Sequence, residues 1–244
     1  MSRSAKATGG AFSPVTMIVA ALVGIVALAG LGLLSAYSPE LKSGNDGGEH
    51  ALSRSATGFG GLPVLLRNLG TPVVMHRGVL TEASDESLLV LTPTLQTPPE
   101  QITDIEHFGT TLIVLPKWAT VPNPDHPGWV RTFGALPPEA ALAPLPEAQR
   151  KDTVVTERKG RATVSLRRPN GTPVGAAVQV ETLRTLSGPQ WIPVVIDDLG
   201  QPVLAMHRET RTYVLADPDL ISTHGLKPLA GAKTAVALID AVRP

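Results

Sequence analysis

The sequence predicts an α/β fold: a doubly wound, mainly parallel sheet that carries an antiparallel β insertion and follows one N-terminal transmembrane helix. Three observations predict it. Short strands apolar on both faces alternate with helical segments, as in sheets covered on both sides. Two stretches with period-2 alternation flank turn residues at Asn170-Gly171 and Asp198-Leu199-Gly200, which is a hairpin signal. A run of 22 residues from Val15 to Ala36 carries no charge.

That run comes first in the chain. At 1.5 Å per residue a helix of its length reaches about 33 Å, enough to cross the hydrocarbon core. A cleaved signal peptide has an apolar region of roughly 7 to 15 residues, and here the run continues well past Ala27 and Ala29. An uncleaved anchor is therefore expected. Arg3 and Lys6 precede it, whereas Glu40, Lys42, Asp46 and Glu49 follow. The positive-inside bias puts residues 1–14 in the cytoplasm and the remainder outside it, in a single-pass arrangement at the cell membrane. Ala20 with Gly24, and Gly32 with Ala36, have the small-xxx-small spacing of helix dimers. In a span this rich in Ala and Gly the spacing arises by chance.

Residues 37–49 read as a polar linker and residues 50–244 as the extracytoplasmic domain. "HALS" is a brief strand, and the loop "RSATGFGG" opens a helix with Leu62, Leu65, Leu66 and Leu69 at helical spacing before Gly70. Ser55 or Thr57 would cap it. "PVVMHRG", "SLLVLTP" and "TTLIVLP" follow as strands, the last two separated by a helix in "PPEQITDIEHF". From Trp118 the β-rich insertion begins and extends to about residue 200. Its first part, to residue 150, reads as a Pro- and Ala-rich excursion with one short helix near Glu139. The two hairpins come next, although "PVLAMHRETRTYVLAD" also reads as strands of the core sheet. "TYVLADPD" resumes the core and "AKTAVALIDAVR" closes it as an amphipathic helix.

Composition excludes several functions. Twenty-one basic residues balance twenty-one acidic ones, so no field of one sign draws in nucleic acid. Cysteine is absent, which removes thiolate nucleophiles and thiolate metal ligands. Six dispersed histidines form no H-E-x-x-H or H-x-H pattern. No phosphate-binding glycine motif occurs, and no cofactor is implied. Asp125-His126 reads as a rigid turn, "RKGR" at Arg158 to Arg161 as a solvated hairpin face, and Trp118, Trp129 and Trp191 as packing anchors.

The order of segments, "SRSATG" opening a helix that ends "LLRNLG", "LLVLTP" before a helix and "LIVLP", and "YVLADPDLIST" before a closing helix, resembles the membrane-anchored domain-of-unknown-function 4350 family. That family is related to the GIFT domains of the class I glutamine amidotransferase-like, flavodoxin-like superfamily. The resemblance implies a flavodoxin-like sandwich outside the cytoplasm, with no established activity, alongside other membrane proteins and a MoxR-type ATPase system. It also implies a second span beyond the domain, so the chain is expected to be a fragment. Family members often carry Asn after the aspartates and Gly-Gly before the third core strand; this chain has Thr223-His224 and Gly109-Thr110 there. Glutamine hydrolysis by the superfamily's cysteine mechanism is excluded in a chain without cysteine.

Ligands of open α/β sheets bind outside the carboxyl ends of the strands. Ser55, Asp217 and Asp219 are expected at such ends, with His224 close behind in sequence, and these four are the candidate ligand-binding residues. Asp217 is expected to face the crevice and Asp219 to cap the following turn. Catalytic residues are not assigned. The leading reading is a non-catalytic, membrane-anchored binding or scaffold domain. The alternative is a metal-dependent hydrolase built on Asp217, Asp219 and His224.

Overall fold

A computed structural model describes residues 13–41, 47–76, 80 and 85–243. The chain forms two compact units, residues 1–43 and 44–244, each treated separately. Arg3, Lys6 and linker residues 42–46 lie outside the described residues, as do Arg77 and Gly78 of the expected strand "PVVMHRG".

The first unit contains helix α1, Pro14–Leu41. Its stretch Pro14–Gly32 is long and apolar enough to cross a membrane, and its apolar side chains, such as Ile18, Leu22, Ile25 and Leu28, are exposed. Apolar side chains so exposed are unfavourable in water, a condition a bilayer would relieve.

The second unit is built on one seven-stranded sheet, in the order β1 (Leu89–Leu91), β2 (Thr111–Val114), β9 (Thr212–Leu215), β8 (Pro202–His207), β7 (Trp191–Ile196), β5 (Val154–Arg167), β6 (Pro173–Ser187). A separate hairpin pairs β3 (Trp118–Pro122) with β4 (Val130–Ala135). Among the described residues of the large sheet, only β1 with β2 and β2 with β9 are parallel; the other four pairings are antiparallel. The expected flavodoxin-like, mainly parallel sheet is corrected accordingly. The reason is the pair of hairpins: their strands hydrogen-bond into the sheet, β8 running antiparallel beside β9 with Ala205 opposite Val214. Both turns fall where they were expected, at residues 168–172 and 197–201.

Strand β2 shows why the parallel part reads as continuously apolar. Leu112 and Val114 enter one core cluster, which lies under α2 (Gly61–Asn68) and α5 (Leu229–Val242). Ile113 and Leu115 enter the other, with Ala141, Leu142 and Leu145 covering it. Ala141 and Leu142 belong to a 3-10 turn, Pro138–Leu142, the short helix expected near Glu139. It is followed by α4, Glu147–Arg150. Between β1 and β2 the expected helix forms as α3, Pro99–Thr103.

Helix α2 buries Leu62 and Leu66, one turn apart. It ends at Gly70 with φ +83°. The Gly70 N–H donates to Arg67 O and the Thr71 N–H to Leu66 O, each at 3.0 Å, the paired reverse bonds of a Schellman stop. The cap expected from Ser55 or Thr57 does not form; Gly60 is the N-cap and no side chain caps the helix. Neither "HALS" nor residues 72–76 form a strand. "HALSRSATGFGG" is instead a coil closed on itself: Gly60 N–H donates to Ser53 O at 2.7 Å and Phe59 N–H to His50 O at 3.1 Å. Glycines allow that tightness, because a Cβ on Gly58 would lie 2.4 Å from Ser53 O.

Candidate functional site

Two chain segments leave adjacent parallel strands and carry charge at once: Lys117 three residues after β2, and Asp217 two residues after β9. Both turn inward, and both side chains are 0% exposed. Lys117 Nζ donates to Asp217 at 3.0 and 2.9 Å and to Asp219 Oδ2 at 2.7 Å. A further short bond goes to Thr182 O on β6.

The Asp217 carboxylate is satisfied just as fully. Asp217 accepts from the Arg184 N–H at 2.9 Å and the Asp219 N–H at 3.0 Å. Asp219 Oδ1 accepts from Trp118 Nε1 at 2.7 Å, and the Lys117 ammonium lies 5.2 Å from the Trp118 ring centroid. Beneath this cluster Arg184 is also fully buried, its guanidinium donating to Glu157 at 3.1 Å, to Pro116 O at 3.3 Å and to Leu136 O. The network therefore fastens the β5–β6 arm to the carboxyl ends of β2 and β9.

The roles expected for the two aspartates exchange. Asp217 is the N-cap of the 3-10 turn Pro218–Leu220, and Asp219 is the partly exposed member, at 22%. Burial pushes the Asp217 carboxyl up to about 6, against the pull of Lys117. Burial opposes the Lys117 charge too, but the two carboxylates together hold its ammonium above the ordinary lysine value.

Beside this cluster, between Thr57, Phe59, Pro93, Pro116, Trp118 and Glu49, lies a cavity of about 10 Å³, roughly one water's worth of space. The Thr57 hydroxyl is buried with no partner. Glu49 is raised from 4.5 to about 7, first by burial, against a hydrogen bond from Thr120 and with Asp219 adding repulsion.

Of the residues expected at the site, Asp217 and Asp219 share Lys117. Ser55 instead serves its own loop, accepting from Gly58 N–H at 3.0 Å and from the Ser53 hydroxyl at 3.1 Å. His224 is exposed; its N–H donates to Ala56 O at 3.0 Å. Among the described residues no three His, Asp or Glu side chains group as metal ligands. Sequence reasoning missed Lys117, Arg184 and Glu49. Lys117 had a signal: it follows an apolar strand with Pro116 just before it, as Asp217 follows an apolar strand with Pro218 just after it.

Comparison with protein families matches residues 51–239 to the family described as "Domain of unknown function (DUF4350)". The chain belongs to this DUF4350 family. No curated protein matches the chain. The matched region begins just before the Ser53–Gly61 coil and ends within α5, so in this DUF4350 protein it takes in Lys117, Trp118, Glu157, Arg184, Asp217 and Asp219, with Glu49 just outside it.

Proposed function

We propose that the chain is a non-catalytic binding or scaffold domain, anchored in the cell membrane by α1 and held outside the cytoplasm. One observation carries the reading: every oxygen of Asp217 and Asp219 already accepts from Lys117, Trp118 or a backbone N–H. A carboxylate used as a base or a metal ligand needs a free lone pair directed at its substrate or ion. Asp217, with two bonds to each oxygen, has none left, and Asp219 has both oxygens engaged by Lys117 and Trp118. The crevice left at the strand ends has room for about one water, which favours a macromolecular partner recognised on the surface over a small molecule enclosed at the strand ends. Family resemblance suggests other membrane proteins and a MoxR-type ATPase system as those partners, and relates the fold to GIFT-like domains.

The hydrolase reading makes the opposite prediction for metal. Elemental analysis of the purified full chain is expected to show no stoichiometric divalent ion, and one equivalent lost in Asp219→Asn would overturn the scaffold reading. Orientation is tested separately, with a reporter fused after Pro244. It is expected to be cleaved by protease added to cells stripped of their outer layers, and protection would reverse the topology.

A further inference from the structure

The β3–β4 hairpin has two unlike faces. Its inner face meets the domain: Thr120 donates to Glu49 at 3.4 Å, and a Cβ on Gly47 would lie 3.3 Å from Val130 Cγ1. Its outer face carries Val121 opposite Arg131; Trp129, the residue before β4, continues the pairing by accepting from Asn123 N–H at 2.9 Å and falls on the Arg131 side by alternation. Phe133 is the extra residue where the register shifts between Ala119 and Thr120, and a bulge re-aims such a side chain. Trp129 is 64% and Phe133 75% exposed, an unusual cost for two large aromatic rings in water.

Chain connectivity says what can cover them. Gly47, at φ +86°, is packed so closely on this hairpin that its Cβ would lie 2.5 Å from Trp129 O. Only residues 42–46 separate Gly47 from Leu41, the last residue of α1, and six Cα steps span at most about 20 Å. Trp and Arg are the side chains suited to the boundary between headgroups and acyl chains, where an apolar body and a polar edge are both satisfied. Arg131 has the geometry for it, half exposed and paired with Asp125 at the hairpin tip.

We propose that the outer face of the β3–β4 hairpin docks on the lipid bilayer, with Trp129 and Phe133 seated in its interfacial layer. The proposal rests on the reading of α1 as a membrane anchor.

The test uses the full chain reconstituted in vesicles of phosphatidylcholine and phosphatidylglycerol. With brominated acyl chains, tryptophan fluorescence is expected to be quenched, and Trp129→Phe is expected to remove most of that quenching, since Trp191 is buried and Trp118 is half-buried with its Nε1 bonded to Asp219. Because the chain has no cysteine, a spin label at Phe133→Cys reports alone. It is expected to be more accessible to oxygen and less accessible to a water-soluble nickel complex than a label at Leu199→Cys, an exposed turn position. Vesicle flotation separates the failures. A chain that does not float with lipid overturns the anchor and the docking together. A chain that floats while the label at 133 matches the one at 199 overturns the docking alone, and so does a hairpin that cross-links to a membrane protein in native membranes without lipid quenching.

Discussion

The Lys117 ammonium lies 2.9 Å from Asp217 Oδ2, although the two residues are 100 positions apart in the chain and neither side chain reaches solvent. A buried pair of this kind contributes little against an apolar replacement of both members. Removing one member costs far more, because the other charge stays buried alone. Lys117→Met is therefore expected to lower stability by about 3–5 kcal/mol, measured by urea unfolding of the full chain in detergent. A loss below about 1 kcal/mol would mean that water reaches the carboxylates.

Asparagine separates the two aspartates. Each Asp217 oxygen faces only donors, so one end of an amide would point N–H against N–H. Asp217→Asn is expected to cost about 3 kcal/mol, and Asp219→Asn, partly solvated, about 1–2 kcal/mol. If Asp217 acted only as a turn cap, Asn would be nearly neutral there, and comparing melting temperatures of the two variants decides the matter.

Acidification is expected to stabilise the domain through two carboxyls. Asp217 is raised from 3.8 to about 6 and Glu49 from 4.5 to about 7. Between each pair of values the folded chain holds more protons than the unfolded one, so their contribution falls as pH rises through that window. Glu49→Gln is expected to flatten the slope of melting temperature against pH between about 4.5 and about 7. An unchanged slope would show that Glu49 is solvated.

Gly175 on β6 has φ +71°, and a Cβ there would sit 2.4 Å from Thr234 Cα on α5. Thr234 in turn bonds both the N–H and the C=O of Ala176 at 2.9 and 2.8 Å. Gly175→Ala is expected to destabilise by about 2 kcal/mol or more, combining positive-φ strain with overpacking. Hydrogen exchange at the amides of α5 should quicken; a thermal midpoint equal to wild type would refute the close packing.

What the sequence alone determined is local. The uncharged run of α1, the stop of α2 at Gly70, the turns at Asn170-Gly171 and Asp198-Leu199-Gly200, and the exclusion of thiolate chemistry all depend on residues close together in the chain. Only the tertiary structure decided the rest. An apolar strand such as β8 reads the same whether its neighbour runs parallel or antiparallel, so the sheet direction came from long-range pairing with β9. Trp129, expected to be a packing anchor, stands exposed, while Trp191 is buried and Trp118 bonds Asp219. Nor does a lysine after a strand announce that it will be buried. Lys117 and Asp217 acquire their meaning from each other, because the worth of a charge depends on the solvent and partners around it, and those are set by residues far away in sequence.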